Sequence, residues 1–292
     1  MNAEPVIESL LAEGFSLVSI RHNRETGTML LAALAYDASP PHDLSKARDP
    51  HALLAPFARA HYYREAVNRL ESVLKGPLTG QGRSSKTIRF FSNSRLPEKL
   101  YAQEAGLGFA GKNSLIINPR AGSQFILAGC IIPGEPLFYP PESAGPWLIN
   151  PREPGPVLCS TCGACEKACP SRAINGKGYP RSSYDRTRCL QYYAARLEIL
   201  PARIMDSWGY ILYGCHKCQE VCPYNKEAPP APESADSVTG YLGPSLPVRR
   251  ILEAGNDELR LFFKGTALGF SWIEPLVLKR NALLAAGSRR ET

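Results

Sequence analysis

Short apolar runs and helical repeats alternate along the first half of the chain. The apolar runs are short enough for buried strands, which we expect at residues 17–20, 29–36, 87–91, 114–117 and 125–128. Apolar positions recur at helical spacing over 56–75, and Gly76-Pro77 is expected to end that helix. A second helix is predicted over 97–105, with Gly106 as its C-cap. This pattern predicts an α/β domain.

Two proline-rich stretches divide the second half of the chain into segments. Proline-rich stretches at 133–156 and 228–234 flank a cysteine-rich region, and helices are predicted at 257–264 and 276–284. The predicted fold class is α+β. The expected domains are an α/β domain at 1–150, a cysteine-rich domain at 151–228, and a linker with a helical tail at 229–292.

Composition and charge narrow the function classes. Hydrophobic residues make up 44% of the 292 residues and charged residues 21%, which is ordinary for a globular protein. No apolar run approaches the ~18 residues of a membrane span, and Met1–Pro5 does not resemble an export leader. We therefore expect a cytoplasmic protein with no membrane partner. The net charge of +7 permits a polyanionic partner such as RNA but does not establish one.

Eight of the nine cysteines lie between Cys159 and Cys222. In a reducing compartment, clustered cysteines are more often metal ligands than disulfides. The run Cys159-x2-Cys162-x2-Cys165-x3-Cys169-Pro170 has the spacing of ferredoxins with two 4Fe-4S clusters, in which the fourth cysteine binds the other cluster. A second set comprises Cys189, Cys215, Cys218 and Cys222.

The crossed-over arrangement gives two complete ligand sets. Cluster one is expected at Cys159, Cys162, Cys165 and Cys222, and cluster two at Cys169, Cys189, Cys215 and Cys218. Zinc is the alternative, although the triple spacing is unusual for zinc. The insertion 190–214 separates two ligands of cluster two. It either admits a second cofactor or partner, or is a structural helix. Cys130 is interpreted as a buried apolar residue.

Three segments resemble the epoxyqueuosine reductase family of cobalamin- and iron–sulfur-dependent tRNA-modifying oxidoreductases. They are Ala105–Leu115 (AGLGFAGKNSL), Tyr213–Asn225 (YGCHKCQEVCPYN) and Arg280–Gly287 (RNALLAAG). The third is similar to the start of the helical repeats of many members, which do not continue here. Corrinoid reductive dehalogenases share the architecture but typically carry an export leader.

The resemblance implies a function and an architecture. It implies reduction of epoxyqueuosine to queuosine in tRNA, a step in queuosine biosynthesis, by an α/β cobalamin-binding domain joined to a ferredoxin-like double 4Fe-4S module and a short helical tail. Electrons would pass from cluster one to cluster two and then to cobalamin. The implied partners are the tRNA substrate and an electron donor such as a flavodoxin or ferredoxin system, and a monomer is expected.

The resemblance also implies which residues contact cobalamin. The segment 112–127 would line the corrin ring mostly through backbone groups, with Ile116 and Leu127 singled out. Gln191, His216 and Lys217 would approach from the side of cluster two.

One position departs from the family pattern. Where the family has an aspartate proton donor, this chain has Ser92, with Asn93 beside it, while Glu98 matches the family's glutamate. Neither Ser92 nor Asn93 can donate a proton as a carboxylic acid does. The remaining donors are Tyr62, His61 or a water molecule, unless the substrate differs.

Two other functions stay open for this reason. One is a corrinoid iron–sulfur reductase that acts on a small molecule, which tRNA affinity would distinguish. The other is a non-catalytic electron-transfer protein with two clusters, which bound cobalamin would distinguish.

Overall fold

The computed structural model describes residues 3–23, 27–41, 49–80, 87–134, 157–177 and 183–288. Helices α1–α12 span Glu4–Ala12, Tyr62–Gly80, Glu98–Glu104, Val157–Thr161, Ala164–Ala168, Leu190–Ala194, Ala202–Asp206, Lys217–Glu220, Pro223–Glu227, Val248–Glu253, Asn256–Phe263 and Pro275–Gly287. Strands β1–β9 span Phe15–Asn23, Gly27–Ala35, His51–Leu54, Arg89–Phe91, Phe109–Ala110, Ile116–Ile117, Phe125–Ile132, Ile211–Tyr213 and Ser245–Pro247. The mixture of helices and strands confirms the α+β class. Across these ranges, no helix has both the length and the apolar character needed to span a membrane.

The chain forms two compact units whose segments interleave along the sequence. The first unit comprises Met1–Tyr36, Tyr62–Thr161 and Pro223–Glu233. The second unit comprises Asp37–His61, Cys162–Cys222 and Ser234–Thr292. The three contiguous domains expected from composition, at 1–150, 151–228 and 229–292, stay a prediction.

The first unit is built on an antiparallel sheet with the strand order β1-β2-β7-β4. Strand β2 lies between β1 and β7, and Met29, Leu31 and Ala33 face a core shared with Phe91 and Leu107. The intervening residues of β2 point to the other face and are also buried. Burial on both faces explains why this strand reads as a continuous apolar run.

Two local expectations in the first unit need correction. The predicted helix over 56–75 is instead a 3-10 turn at Pro56–Ala58 followed by α2, and the expected stop at Gly76-Pro77 is wrong because Pro77 lies inside α2. A proline near a helix end removes one backbone hydrogen bond, which the preceding turns of α2 tolerate. Gly106 does cap α3, with a φ of +74°.

The second unit contains a three-stranded sheet of order β8-β3-β9, in which β3 pairs parallel to β8 and antiparallel to β9. Its core packs Leu54, Leu212 and Leu246 against apolar residues of α10, α11 and α12. Helices α11 and α12 confirm the helices expected at 257–264 and 276–284.

Candidate functional site

The four predicted ligands of cluster two lie near one another in the second unit. Burial raises the pKa of Cys215 to about 11; Cys189 and Cys169 add to the rise and the Lys217 N–H opposes it. Burial likewise raises the pKa of Cys218 well above its usual range. The neighbours that contribute further to that rise are Cys215, Cys189, Cys165 and Cys169. Thiols with such pKa values are protonated at neutral pH, and metal binding would displace their protons.

Two single-turn helices carry cysteines of both sets. Helix α5 holds Cys165, helix α8 holds Cys218, and the two helices pack against each other. Backbone N–H groups in the adjoining turns point at sulfur atoms: Ala173 donates to the Sγ of Cys169 at 3.1 Å, and Ala164 donates to the Sγ of Cys162 at 3.5 Å. Donors of this kind favour the thiolate form that binds iron.

The approach to Cys215 depends on a glycine and on Gln191. Gly214 has a φ of +86°, and a Cβ there would lie 2.5 Å from the Cβ of Ala55, so only glycine fits. The Oε1 of Gln191 accepts the N–H of Cys215 at 3.2 Å. Gln191, which was expected at cobalamin, therefore holds the backbone of a cluster ligand; its cobalamin contact stays a prediction.

His216 and Lys217 share one carboxylate. The Nε2 of His216 lies 3.0 Å from one oxygen of Glu220, and the Nζ of Lys217 lies 2.9 Å from the other. Burial lowers the pKa of His216 to about 4 even though Glu220 opposes the shift, so the imidazole is neutral at pH 7. Glu220 thus fixes both side chains that were expected to face cobalamin.

A further residue of this region was missed by sequence reasoning. Burial raises the pKa of the Tyr184 hydroxyl far above its usual range, and the neighbouring Cys189, Cys218 and Cys169 add to the rise. Tyrosine has no ligand spacing that could reveal this position, so only the fold identifies it.

In the first unit, the expected catalytic position lies beside an expected cobalamin contact. The Oγ of Ser92 donates to the carbonyl of Leu127 in β7 at 2.7 Å. Leu127 packs against the core that contains the buried Ile116. The structure therefore brings Ser92, Leu127 and Ile116 into one region of this unit.

The loop after Ser92 is held by Glu98. Its carboxylate accepts the N–H of Asn93 at 3.1 Å and that of Ser94 at 2.6 Å. Asn93 is exposed and has a φ of +52°, a left-handed conformation that asparagine tolerates better than most residues. The glutamate that matches the family pattern thus shapes the loop.

The alternative proton donors are both buried. Tyr62 is 1% exposed in the first unit and packs on the ring of Tyr36. His61 is 6% exposed in the second unit, and its ring meets Phe270 edge to face.

The cluster-one set divides between the two units in sequence. Cys159 belongs to the Tyr62–Thr161 segment of the first unit, whereas Cys162, Cys165 and Cys222 belong to the second. All nine cysteines lie within the described residues, and none forms a disulfide. Cys130 is fully buried in β7, as expected for an apolar role, and burial raises the pKa of its thiol to about 12.

The surroundings of the cysteines fit the donor set of an iron–sulfur cluster. In a 4Fe-4S cluster each thiolate binds a separate iron atom, so the four sulfur atoms surround a cube instead of meeting at a point. The mutual influence of four cysteines and the N–H groups directed at their sulfur atoms fit that donor set.

Comparisons with known proteins identify the region and its relatives. Residues 158–225 match the 4Fe-4S double cluster binding domain, which confirms the double-cluster module. The chain is 30% identical to the epoxyqueuosine reductase of Synechocystis sp. over 248 residues, which are 83% of this chain and 78% of that protein. It is also 30% identical to the enzymes of Cyclobacterium marinum and Bacillus subtilis. There the matches cover 72% and 78% of this chain but only 62% and 55% of those relatives.

Solved structures agree in fold. The epoxyqueuosine reductase of Streptococcus thermophilus superposes with a TM-score of 0.73 at 20% identity, covering 99% of this chain and 82% of that one. An epoxyqueuosine reductase solved with an epoxyqueuosine-modified tRNA stem loop superposes with a TM-score of 0.68 at 21% identity, covering 98% and 80%. The Bacillus subtilis structure, with a TM-score of 0.69, is described with a catalytic aspartate loop swung out of its active site.

Proposed function

The chain belongs to the epoxyqueuosine reductase family, and from that premise we propose that it reduces epoxyqueuosine to queuosine in tRNA. The observation that carries the proposal is the similarity to a curated reductase over 83% of the chain, which includes the double-cluster module. The chain spans about half to three fifths of the first relatives it matches, so the activity is inferred from the shared part.

Each cofactor has proposed ligands or contacts in this chain. Cys159, Cys162, Cys165 and Cys222 hold one cluster, and Cys169, Cys189, Cys215 and Cys218 hold the other. When bound, the clusters supply single electrons and cobalamin supplies the reductant for the epoxide. The proposed cobalamin contacts are Ile116, Leu127, Gln191, His216 and Lys217.

The residues around Ser92 have a positioning role in this proposal. Because the hydroxyl of Ser92 is donated to the carbonyl of Leu127, it is unsuited to giving its proton to a substrate. Proton supply then falls to a water molecule held at the loop of Ser92 and Asn93, or to Tyr62 or His61. The proposed tRNA substrate and a flavodoxin or ferredoxin donor place the reaction in the cytoplasm in this proposal, and a monomer stays the expected state.

Anaerobic reconstitution with iron and sulfide tests the ligand sets. Two 4Fe-4S clusters predict eight iron and eight sulfide atoms per chain. Cys189→Ser is expected to lose the signal of cluster two and keep that of cluster one. Cys130→Ser is the matched control, because its buried sulfur lies in β7 outside both sets, and it should keep all eight iron atoms. A preparation that holds zinc and no sulfide would overturn the sets.

Measurements of cobalamin binding and of tRNA conversion then distinguish the three candidate functions. Addition of cobalamin to the loaded protein should give a base-off absorption spectrum, and the loaded protein should convert epoxyqueuosine-containing tRNA. Loaded clusters without cobalamin binding at micromolar concentration would indicate the electron-transfer protein instead.

A small-molecule corrinoid reductase is the second candidate, and Ser92 is the observation that favours it. A protein that binds cobalamin but neither binds nor converts the tRNA would support it.

A further inference from the structure

We propose that Trp272 is a stacking platform for an unpaired base of the tRNA substrate. The inference rests on the proposed function in one respect, namely that the substrate is a tRNA. It adds a substrate-binding residue in the second unit that is neither a proposed cluster ligand nor a proposed cobalamin contact.

Trp272 lies in the loop 264–274, which joins α11 to α12. Its ring stacks on the ring of Phe270, with the centroids 4.2 Å apart and an angle of 12° between the planes. Trp272 is nevertheless 49% exposed, because Phe270 covers only one face of the indole. An open aromatic face of this kind is what nucleic-acid bases stack on.

The ring beneath Trp272 is fixed in place. Phe270 packs against the apolar core of the second unit, and the ring of His61 meets it edge to face. The N–H of Ile273 donates to the carbonyl of Phe270 at 3.0 Å, and the N–H of Gly269 donates to the carbonyl of Thr266 at 3.0 Å. The loop is therefore already ordered, and little further ordering would be needed to bind a base.

A second exposed ring lies on the adjoining loop. Tyr241 is 46% exposed in the segment 239–243. That segment packs closely on the loop of Trp272, since a Cβ at Gly240 would meet the carbonyl oxygen of Gly265 and would lie 3.1 Å from the Cα of Thr266. Two exposed rings on adjoining loops suit an RNA segment with more than one unstacked base.

The charges around the loop favour RNA over an apolar protein surface. Glu274 is paired with Arg260 at 2.8 Å. The remaining carboxylates of α11, Asp257 and Glu258, lie in its first turn, at the end away from Lys264. In the described part of the chain, no carboxylate lies within ion-pair distance of the exposed Lys264. The loop of Trp272 therefore begins with a cation that a phosphate would neutralise.

Trp272→Ala tests this, with Leu261→Ala as the matched control. Leu261 lies on α11 and is 72% exposed, so its truncation removes an exposed apolar side chain that has no flat ring. A third variant, Trp272→Tyr, keeps an aromatic face. The affinity of each cluster-loaded protein for labelled epoxyqueuosine-containing tRNA is measured by fluorescence anisotropy over a range of salt concentrations.

We expect the Kd of Trp272→Ala to rise by about 5- to 150-fold, the range of one stack between a base and an aromatic side chain. Trp272→Tyr should stay within about threefold of the wild type, and Leu261→Ala should bind like the wild type. Trp272→Ala should keep the salt dependence of binding, because it removes no charge. Lys264→Gln should instead reduce the slope of log K against log salt by about one.

The wild type also provides a direct signal. A base stacked on Trp272 should quench its emission, whereas Trp208 is buried and out of reach of the RNA. The quenching caused by the tRNA should therefore be smaller in Trp272→Tyr, which binds the tRNA but lacks the indole.

Two results would overturn the inference and leave the proposed function intact. One is an unchanged tRNA affinity in a cluster-loaded Trp272→Ala, which would assign the exposed rings to a protein partner instead. The other is an equal loss of affinity in Trp272→Ala and Trp272→Tyr, because an aromatic face would then not be what binds. A wild-type protein that does not bind the tRNA at all would refute the proposed function together with the inference.

Discussion

At the scale of single residues, Ser92 stands where the resemblance to the family implies an aspartate proton donor. Its hydroxyl is donated to the carbonyl of Leu127 and its loop is held by Glu98, so the loop has a fixed shape without a carboxylic acid. A positioned general acid accelerates a reaction by roughly 10²–10⁴-fold. Under the proposed function, the wild-type chain is therefore expected to reduce the epoxide more slowly than relatives that have the aspartate.

Ser92→Asp should raise turnover on epoxyqueuosine-containing tRNA. The new carboxyl would lie near the carbonyl of Leu127, which favours its protonated form and therefore its use as an acid. The measurement is the single-turnover rate of the protein loaded with clusters and cobalamin.

Asn93→Asp is the control for the position of the acid. Asn93 is exposed and lies one residue further along the same loop, so the substitution adds the same group without the contact to Leu127. If the wild type turns over well and neither variant exceeds it, the donor lies elsewhere and Tyr62 becomes the next residue to change.

At the scale of elements, helix α12 organises the insertion between Cys189 and Cys215. Asn281 is fully buried, and its Nδ2 donates to the carbonyls of Ala194 at 3.0 Å and Leu212 at 2.8 Å. Ala194 lies five residues after the proposed ligand Cys189, and Leu212 lies three residues before the proposed ligand Cys215. The neighbouring Arg280 donates to the carbonyl of Tyr193 at 2.6 Å. The insertion is therefore fixed by the helical tail of the chain.

Asn281→Leu is expected to lower the free energy of unfolding by about 2–4 kcal/mol, because it leaves two buried carbonyls without their donor. Chemical denaturation of the reconstituted protein measures the change. Asn256→Leu is the control, because Asn256 is exposed at the start of α11 and the same substitution there should have little effect. Equal stability of the two variants would contradict the role of Asn281.

The same scale shows what sequence can and cannot predict about this fold. Strands β1, β2 and β7 follow from continuous apolar runs, and α11 and α12 from helical spacing, because each pattern is long enough to be read locally. Strands β3, β8 and β9 were missed. They have only three or four residues each, and their pairing joins residues far apart in sequence.

The candidate functional site also has a part that the sequence predicts and a part that it does not. Ligand spacing identified the cysteines because iron imposes it on the sequence, and the match at 158–225 confirms the module. The hydrogen bond from the N–H of Cys215 to Gln191 could not be predicted, because glutamine has no spacing tied to that contact.

At the scale of the whole molecule, the two units differ in what stabilises them. The first unit has a four-stranded sheet with a buried apolar core. In the second unit, the stretch Cys162–Cys222 contains helices of only four or five residues. Helices shorter than about 12 residues are not stable by themselves in water. Iron–thiolate bonds would supply order in that stretch that local structure lacks.

Removal of the clusters should therefore affect the two units unequally. Hydrogen exchange is compared between the anaerobically loaded protein and the same protein after oxidation and chelation of its iron. Amides of residues 162–177 and 183–222 are expected to lose protection by at least tenfold, since the helices there would lose their cross-links. Amides of β1, β2 and β7 should exchange at unchanged rates, because their hydrogen bonds lie within a sheet whose core includes none of the proposed ligands.

A uniform loss of protection over both units would show that the clusters stabilise the chain globally. Unchanged protection at 162–222 would show that the apolar contacts of the second unit suffice without iron.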